Sequence, residues 1–341
     1  MKNTLRLGII GCGSIANAHA NALAQLTDKI TVTTVCDPLL KNAEKMAAVF
    51  GLRADAVHTV FDEAAVRADT DAYLLTTPHD LHYPQARQLL ENGKHILVEK
   101  PFTHNAQQAE ELVELAERKG CKLAVGHCQR HSPMTLAIKR ELEEGNLGNI
   151  FGVFTTSLQY LPMYVPAESN HWLYSAKVAG GGIIISVAVH RLDMMRFLLG
   201  EVESVSASFE VDEGRSSAQR PFEWTAGVNF RFAQGAVGAQ FCCYKAMTNA
   251  WVPETLAFYG SEGTIRAAED SYEIYRPSVD KEFRSVTPVG TDKWVAQLEA
   301  FHAEITAGVP NRASGRDAIG TMRLIDAIYQ SGSKGGERVY L

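Results

Sequence analysis

Apolar and polar positions follow two different rhythms along this chain. Up to about Glu144, short apolar runs at Leu5–Ile10, Thr31–Cys36, Ala72–Thr77, His95–Val98 and Lys122–Val125 predict strands. Between them Leu39–Phe50, Tyr83–Asn92 and Asn105–Lys119 carry helical spacing, and the segments stop at breakers such as Gly51 and Pro78. Alternation of this kind predicts a right-handed, doubly wound parallel sheet covered by helices on both faces. After Ile150 the rhythm changes. Phe151–Leu158, Val202–Val211, Glu223–Phe232, Ala236–Tyr244, Thr255–Tyr259 and Thr264–Ala267 are successive strand-like runs, with turns such as "AQG" and "GSEG" between them. They predict an open, largely antiparallel sheet with a helix at Ile184–Leu199 packed on it, and Lys293–Ala307 and Arg316–Ser331 are helical again. The expected division is a doubly wound α/β domain over residues 1–149 and an α+β domain over 150–341, the C-terminal helix being free to pack back on the first. Their junction is where a substrate cleft is expected.

Composition narrows the function. A chain of 341 residues, 46% hydrophobic and 21% charged, has ample core for two domains. Its net charge of −6 argues against a polyanion-binding surface, so no nucleic-acid partner is expected. Without a run of about 18 apolar residues no membrane span is expected, and the apolar start is cut at Gly11 with no cleavage-like region, which predicts a cytoplasmic protein. The six cysteines form no C-x-x-C and sit mostly in apolar runs, so buried thiols are expected rather than disulfides or a metal site.

The segment "RLGIIGCGSIANAHANAL" runs a short strand into Gly11-Cys12-Gly13 and then into a helix-like stretch. In G-x-G-x-x-G/A the first glycine makes the turn, the second admits a pyrophosphate and the third position must be small; here these are Gly11, Gly13 and Ala16. Ser14 and Ile15 open the helix whose N–H groups face the phosphates. Asp37 ends the second strand, where a carboxylate accepts hydrogen bonds from the adenosine ribose and repels a 2′-phosphate, so NAD is expected in preference to NADP.

Two further segments carry chemistry. "GKHILVEKPF" places Lys100 just beyond a strand's carboxyl end, where a lysine can assist deprotonation of a substrate hydroxyl; a solvated lysine paired with Glu99 fits the same triplet. "AGGGIIISVAVHRLDMMRFLLG" has three glycines that admit close backbone approach, then His190 and Asp193 on one helix face. A neutral imidazole there can take a hydroxyl proton with the acid orienting it, although a helical histidine also fits a structural role.

Together Gly11, Gly13, Ala16, Asp37, "TTPHDLH" (Thr76–His82), "GKHILVEKP" and "AGGG…H..D" resemble the glucose-fructose oxidoreductase, inositol dehydrogenase and rhizopine catabolism (Gfo/Idh/MocA) family. The likeness spans almost the whole chain, including "LIDAIYQS" (Leu324–Ser331), and the order of E-K-P followed by GGG…H is specific to it. It implies a Rossmann domain joined to an open-faced sheet domain, NAD(P)-linked oxidation or reduction of sugars, cyclitols or related polyols, and homodimers or homotetramers. It also implies that Lys100 and His190 are catalytic and that the Lys100–Pro101 peptide is cis. On the same likeness Thr77, Pro78, His82 and Glu99 join Gly11, Gly13, Ser14, Ile15, Asp37 and Lys100 in the cofactor site. His127, Arg130, Tyr160, His171 and Trp172 flank the inferred cleft as substrate candidates. Two departures bear on the substrate. Ser186 stands where the family usually has an aspartate four residues before the histidine, and Trp172-Leu173-Tyr174-Ser175 replaces the usual W-R-x-D. Beside a dehydrogenase, the residues leave open a glycoside hydrolase that oxidises its substrate transiently on held NAD, and a nonenzymatic dinucleotide-binding regulator.

Overall fold

In the computed structural model, which describes residues 4–166, 171–246, 255–268 and 270–341, the chain divides into two units, residues 1–131 with 291–319 and residues 132–290 with 320–341. Six strands of the first unit, β1 (Leu5–Ile10), β2 (Ile30–Cys36), β3 (Val57–His58), β4 (Ala72–Leu75), β5 (His95–Val98) and β6 (Leu123–Val125), form one sheet in the order β3-β2-β1-β4-β5-β6. Every pairing is parallel. Covered on both faces, β4 has no exposed position, which is why its sequence "AYLL" is continuous rather than alternating. The order reverses between β1 and β4, and that switch point opens the crevice in which such sheets bind ligands.

Local chemistry sets the helix limits. The Asn105 side chain accepts from the Gln108 N–H at 3.0 Å and starts the helix Ala106–Lys119. Pro78 precedes the helix His79–Glu91, which begins four residues before the apolar periodicity shows, because its first turn is polar.

The first unit takes back a late segment. Asp292 caps the helix Lys293–Ala307, accepting from Trp294 N at 2.9 Å and Val295 N at 3.3 Å, and Val295, Leu298 and Phe301 join the apolar core with Leu23, Met46 and Leu97. The helix Pro133–Glu143, by contrast, belongs to the second unit, where Lys139 donates to the Phe197 carbonyl at 3.2 Å and covers its ring. Asn149, the expected boundary, therefore lies inside the second unit.

The second unit is built on β7 (Ile150–Leu158), β8 (Val202–Val211), β9 (Glu223–Phe232), β10 (Val237–Cys243), β11 (Leu256–Gly260), β12 (Thr264–Ala268), β13 (Ser271–Tyr275), β14 (Arg284–Val286) and β15 (Val339–Tyr340). Their order is β14-β13-β12-β11-β7-β10-β9-β8-β15, antiparallel except for the β7–β10 pair. The expected single helix at 184–199 is two segments: a π-wound turn, Ile184–Ala188, runs into the α-helix Val189–Leu199. All six cysteines are thiols, and among the described residues no helix is long and apolar enough to cross a membrane.

Truncation of fully buried Phe301 tests whether the returning helix is integral to the first core. Phe301→Ala should lower the unfolding free energy by about 3–5 kcal/mol in urea titration; a loss within experimental error would show the helix to be an accessory.

Candidate active site

The glycine turn is held from two sides. Gly11 N–H donates to the Cys36 carbonyl at 2.8 Å, and the Thr76 hydroxyl donates to the Gly11 carbonyl at 2.5 Å. Gly11 has φ +85°, and a Cβ there would lie 2.8 Å from the Thr76 carbonyl, so neither its conformation nor its surroundings tolerate a side chain. Gly13, in contrast, faces open space, and the helix Ser14–Leu23 that follows has no side-chain cap. The first-turn N–H groups at Ser14 and Ile15 thus remain available to an anion.

Asp37 fastens this turn to the end of β2. Its Oδ2 accepts from Cys12 N at 2.8 Å, and its Oδ1 accepts from Leu39 N at 2.9 Å and from the Asn42 amide at 3.3 Å. Three of a carboxylate's roughly four acceptor positions are used this way, which leaves one for a ligand hydroxyl. Cys12 itself is buried and its thiol is pushed up to about 12, chiefly by burial and then by Asp37, so the loop carries no reactive thiolate.

Beyond β5, buried Glu99 accepts from His19 Nε2 at 2.8 Å and from the Lys100 N–H at 3.0 Å. Burial pushes the Glu99 carboxyl up, but the hydrogen bond and charge of His19, with the charge of Lys100, outweigh it and hold it below the usual carboxylate range. Lys100 is partly buried and the Lys100–Pro101 peptide is cis, as the resemblance implied. His82 is completely enclosed: Nδ1 lies 2.8 Å from the Pro101 carbonyl and Nε2 lies 3.0 Å from the Thr77 carbonyl, so it joins the loops after β4 and β5. Burial holds its imidazole below the ordinary value. Thr77 donates to Gln85 at 2.8 Å, and Thr77 and Pro78 are partly exposed at the end of β4.

Of the substrate candidates in this unit, His127 is buried just after β6. Arg130 is also buried, and its guanidinium donates to the Arg312 carbonyl at 2.7 Å and pairs with Asp317, which makes it an anchor of the returning segment.

In the second unit Ser186 lies buried in the π-wound turn, and burial pushes the hydroxyl of the neighbouring Tyr244 up. His190, one turn later, is partly exposed. Asp193 is buried and accepts from the Thr321 hydroxyl at 2.8 Å, tying this helix to Gly315–Ser333. His171 accepts from Leu173 N at 3.3 Å and stacks on Trp172 with ring centroids 5.5 Å apart; Tyr160 is partly exposed and bridged to Lys245.

Sequence reasoning missed three residues. His19 and Thr76 looked like ordinary members of a helix and a strand end, although a histidine in an otherwise alanine-rich buried face was a legible signal. Glu223, at the inward start of β9, receives the Gly182 and Ile184 N–H groups and the Tyr329 hydroxyl, and burial pushes its carboxyl up to about 7.

The turn after β1, the free helix end and the carboxylate after β2 fit a dinucleotide, so the first unit is a nucleotide-binding module of the Rossmann type. Residues 5–127 match the model of the oxidoreductase family with an NAD-binding Rossmann fold and residues 135–266 match the GFO/IDH/MocA C-terminal domain. The chain belongs to the Gfo/Idh/MocA family and is an NAD-binding oxidoreductase. It is similar to the inositol 2-dehydrogenase of Rhizobium meliloti, 28% identical with 96% of this chain and 97% of that protein covered. Similarity to the 1,5-anhydro-D-fructose reductase of Ensifer adhaerens is 25% identity over 97% of each. Levoglucosan dehydrogenase in complex with NADH shares the fold, with TM-score 0.89, 24% identity and 99% of each chain covered.

Gly11→Ala should weaken NADH binding by about 10-fold or more in fluorescence titration and lower the melting temperature, since strain and the Thr76 clash both act on the turn. Unchanged affinity would separate the turn from the cofactor.

Proposed function

We propose that this protein is an NAD-dependent dehydrogenase acting on a secondary alcohol of a sugar, cyclitol or related polyol. The observation that carries this reading is that the glycine turn after β1 and Lys100 after β5 lie at the carboxyl ends of one parallel sheet, with only β4 between their strands. The similar proteins are named for an inositol and an anhydro-sugar, which points to the same class of hydroxylated substrate. Gly11, Gly13, Ser14 and Ile15 would hold the pyrophosphate, and Asp37 the ribose, with Thr77, Pro78 and Glu99 shaping the loops beside them and His82 acting as their brace. NAD, when bound, supplies the acceptor or donor of the hydride.

The chain's own residues handle the proton. Lys100 hydrogen-bonds the substrate hydroxyl and lowers the barrier to its loss, and His190 takes or returns the proton as a neutral imidazole. Glu99 accepts from the Lys100 N–H and so fixes the backbone at that position. The remaining acceptor position of Asp37 suits a 2′-hydroxyl and its charge disfavours a 2′-phosphate, so NAD is the preferred coenzyme. Ser186 brings no charge, so the substrate is held by neutral hydrogen bonds there, with His171 and Trp172 as an aromatic wall. Six cysteines in thiol form suit a cytoplasmic enzyme.

A panel of sugars, inositols, sugar acids and their keto forms, followed by NADH absorbance, tests the reading directly and should show a higher kcat/KM with NAD than with NADP. With the substrate so found, Lys100→Ala and His190→Ala should each lower kcat by about 10²-fold or more with little change in NADH affinity. Near-normal turnover in both variants would falsify the assignment.

We also propose that the protein is a homodimer or homotetramer built on the second unit's sheet. Phe154, Val237, Phe241 and Tyr259 are exposed on adjoining strands β7, β10 and β11, on the open side of the sheet. The ion pairs Arg231–Glu203 and Arg266–Glu273 lie on the flanking strands, and Lys245, just past β10, pairs with Glu210 of β8. Light scattering should give a dimer or larger, shifted toward monomer by Phe241→Asp; a monomeric wild type at every concentration would overturn it.

A further inference from the structure

The three glycines Gly180-Gly181-Gly182 leave no side chain between the backbone and its neighbours, and the neighbours are specific. A Cβ on Gly181 would fall 1.9 Å from the Tyr329 hydroxyl, and one on Gly182 would fall 2.1 Å from the Glu223 carbonyl oxygen. The space that side chains would fill is occupied by the Glu223 backbone and the Tyr329 phenol. Glu223 Oε2 accepts from Gly182 N at 3.0 Å, and Oε1 accepts from Ile184 N at 2.8 Å and from the Tyr329 hydroxyl at 2.9 Å. The segment so held is the start of the π-wound turn Ile184–Ala188, which passes without a break into the helix bearing His190.

A helix start has N–H groups with no partner inside the helix, and burial makes an unmet donor expensive. Ile184 has no exposed surface and Gly182 is buried, so water does not reach these donors. One carboxylate meets both, and the Tyr329 hydroxyl fixes its orientation. Tyr329 is held in turn: the Arg220 guanidinium lies over its ring at 4.4 Å and pairs with Asp326 on the same helix as Tyr329. A wound turn of this kind has several near-equal hydrogen-bonding registers, and a fixed acceptor at its first donors selects one.

We propose that Glu223 is the positioning residue for His190, its carboxylate locking the register of the Gly182–Ala188 turn and so the placement of the imidazole, with Tyr329 holding the carboxylate. This rests on the reading that His190 handles the substrate proton. Glu223 touches neither substrate nor cofactor and acts through the turn alone.

The experiment follows amide hydrogen exchange at Gly182 and Ile184 by NMR in the full-length protein, alongside NADH affinity and steady-state kinetics. In Glu223→Gln an amide N–H₂ must face one of the two donors, so exchange at that site should quicken by about 10-fold or more. The NADH dissociation constant should stay within about 2-fold while kcat falls by about 10-fold, a split that general destabilisation does not produce. Tyr329→Phe keeps both N–H bonds but releases the carboxylate, and about 3-fold faster exchange with a smaller loss of kcat is expected; it carries the test if Glu223→Gln does not fold. Wild-type exchange rates in the variants overturn the proposal, as does faster exchange with unchanged kcat in an enzyme that His190→Ala inactivates. Full activity of His190→Ala refutes the proton-transfer reading instead, and the exchange data then report on the anchor by themselves.

Discussion

A parallel sheet sends the carboxyl end of every strand to the same side, and each of those ends must turn there with its backbone groups either paired or offered to something else. Most of the first unit follows from this constraint. The loops after β1, β2, β4 and β5 crowd together at the switch point, and the chain ties them with buried polar side chains rather than with apolar packing. Asp37 links β2 to the glycine turn, Thr76 links β4 to the same turn, His82 links the ends of β4 and β5, and Glu99 is gripped by His19 from the first helix. The start of the helix at Ser14 has no side-chain cap, and a ligand's charge can complete its hydrogen bonding.

Buried carboxylates recur because a turn presents N–H donors that no sheet or helix satisfies. The environment decides how each one ionises. Glu99 has the hydrogen bond and charge of His19 and the charge of Lys100 to hold it below the ordinary range, whereas Glu223 has uncharged donors, which do not outweigh burial. Each is tied into backbone beside a candidate residue, Glu99 to the Lys100 N–H and Glu223 to the Gly182 and Ile184 N–H groups ahead of His190.

The sheet elements were legible in the sequence because two-faced burial leaves continuous apolar runs and one-faced burial leaves alternation: β1, β5, β8 and β9 agree with their apolar runs at both ends. The positions of the glycine turn, Asp37 and Lys100 were legible because all three follow strand ends. The edge strands β3, β14 and β15 and the short strand β13 were not, since each is too brief for its alternation to stand out along the chain. The break at Ile184–Ala188 was hidden because Ile183, Ile184 and Ile185 are buried whatever the winding. Arg130 and Asp193 carried charges that read as site chemistry, yet the structure turns them toward Asp317 and Thr321, contacts that no spacing rule connects across so many residues.

The return of residues 291–319 to the first unit also sets an order of events in the cell. A ribosome releases β1 to β6 long before it makes Phe301 and Leu298, so the nascent sheet emerges with one apolar surface uncovered. That surface must wait through the synthesis of β7 to β14, and a partly folded chain in that interval is a natural client for a chaperone that binds exposed apolar faces.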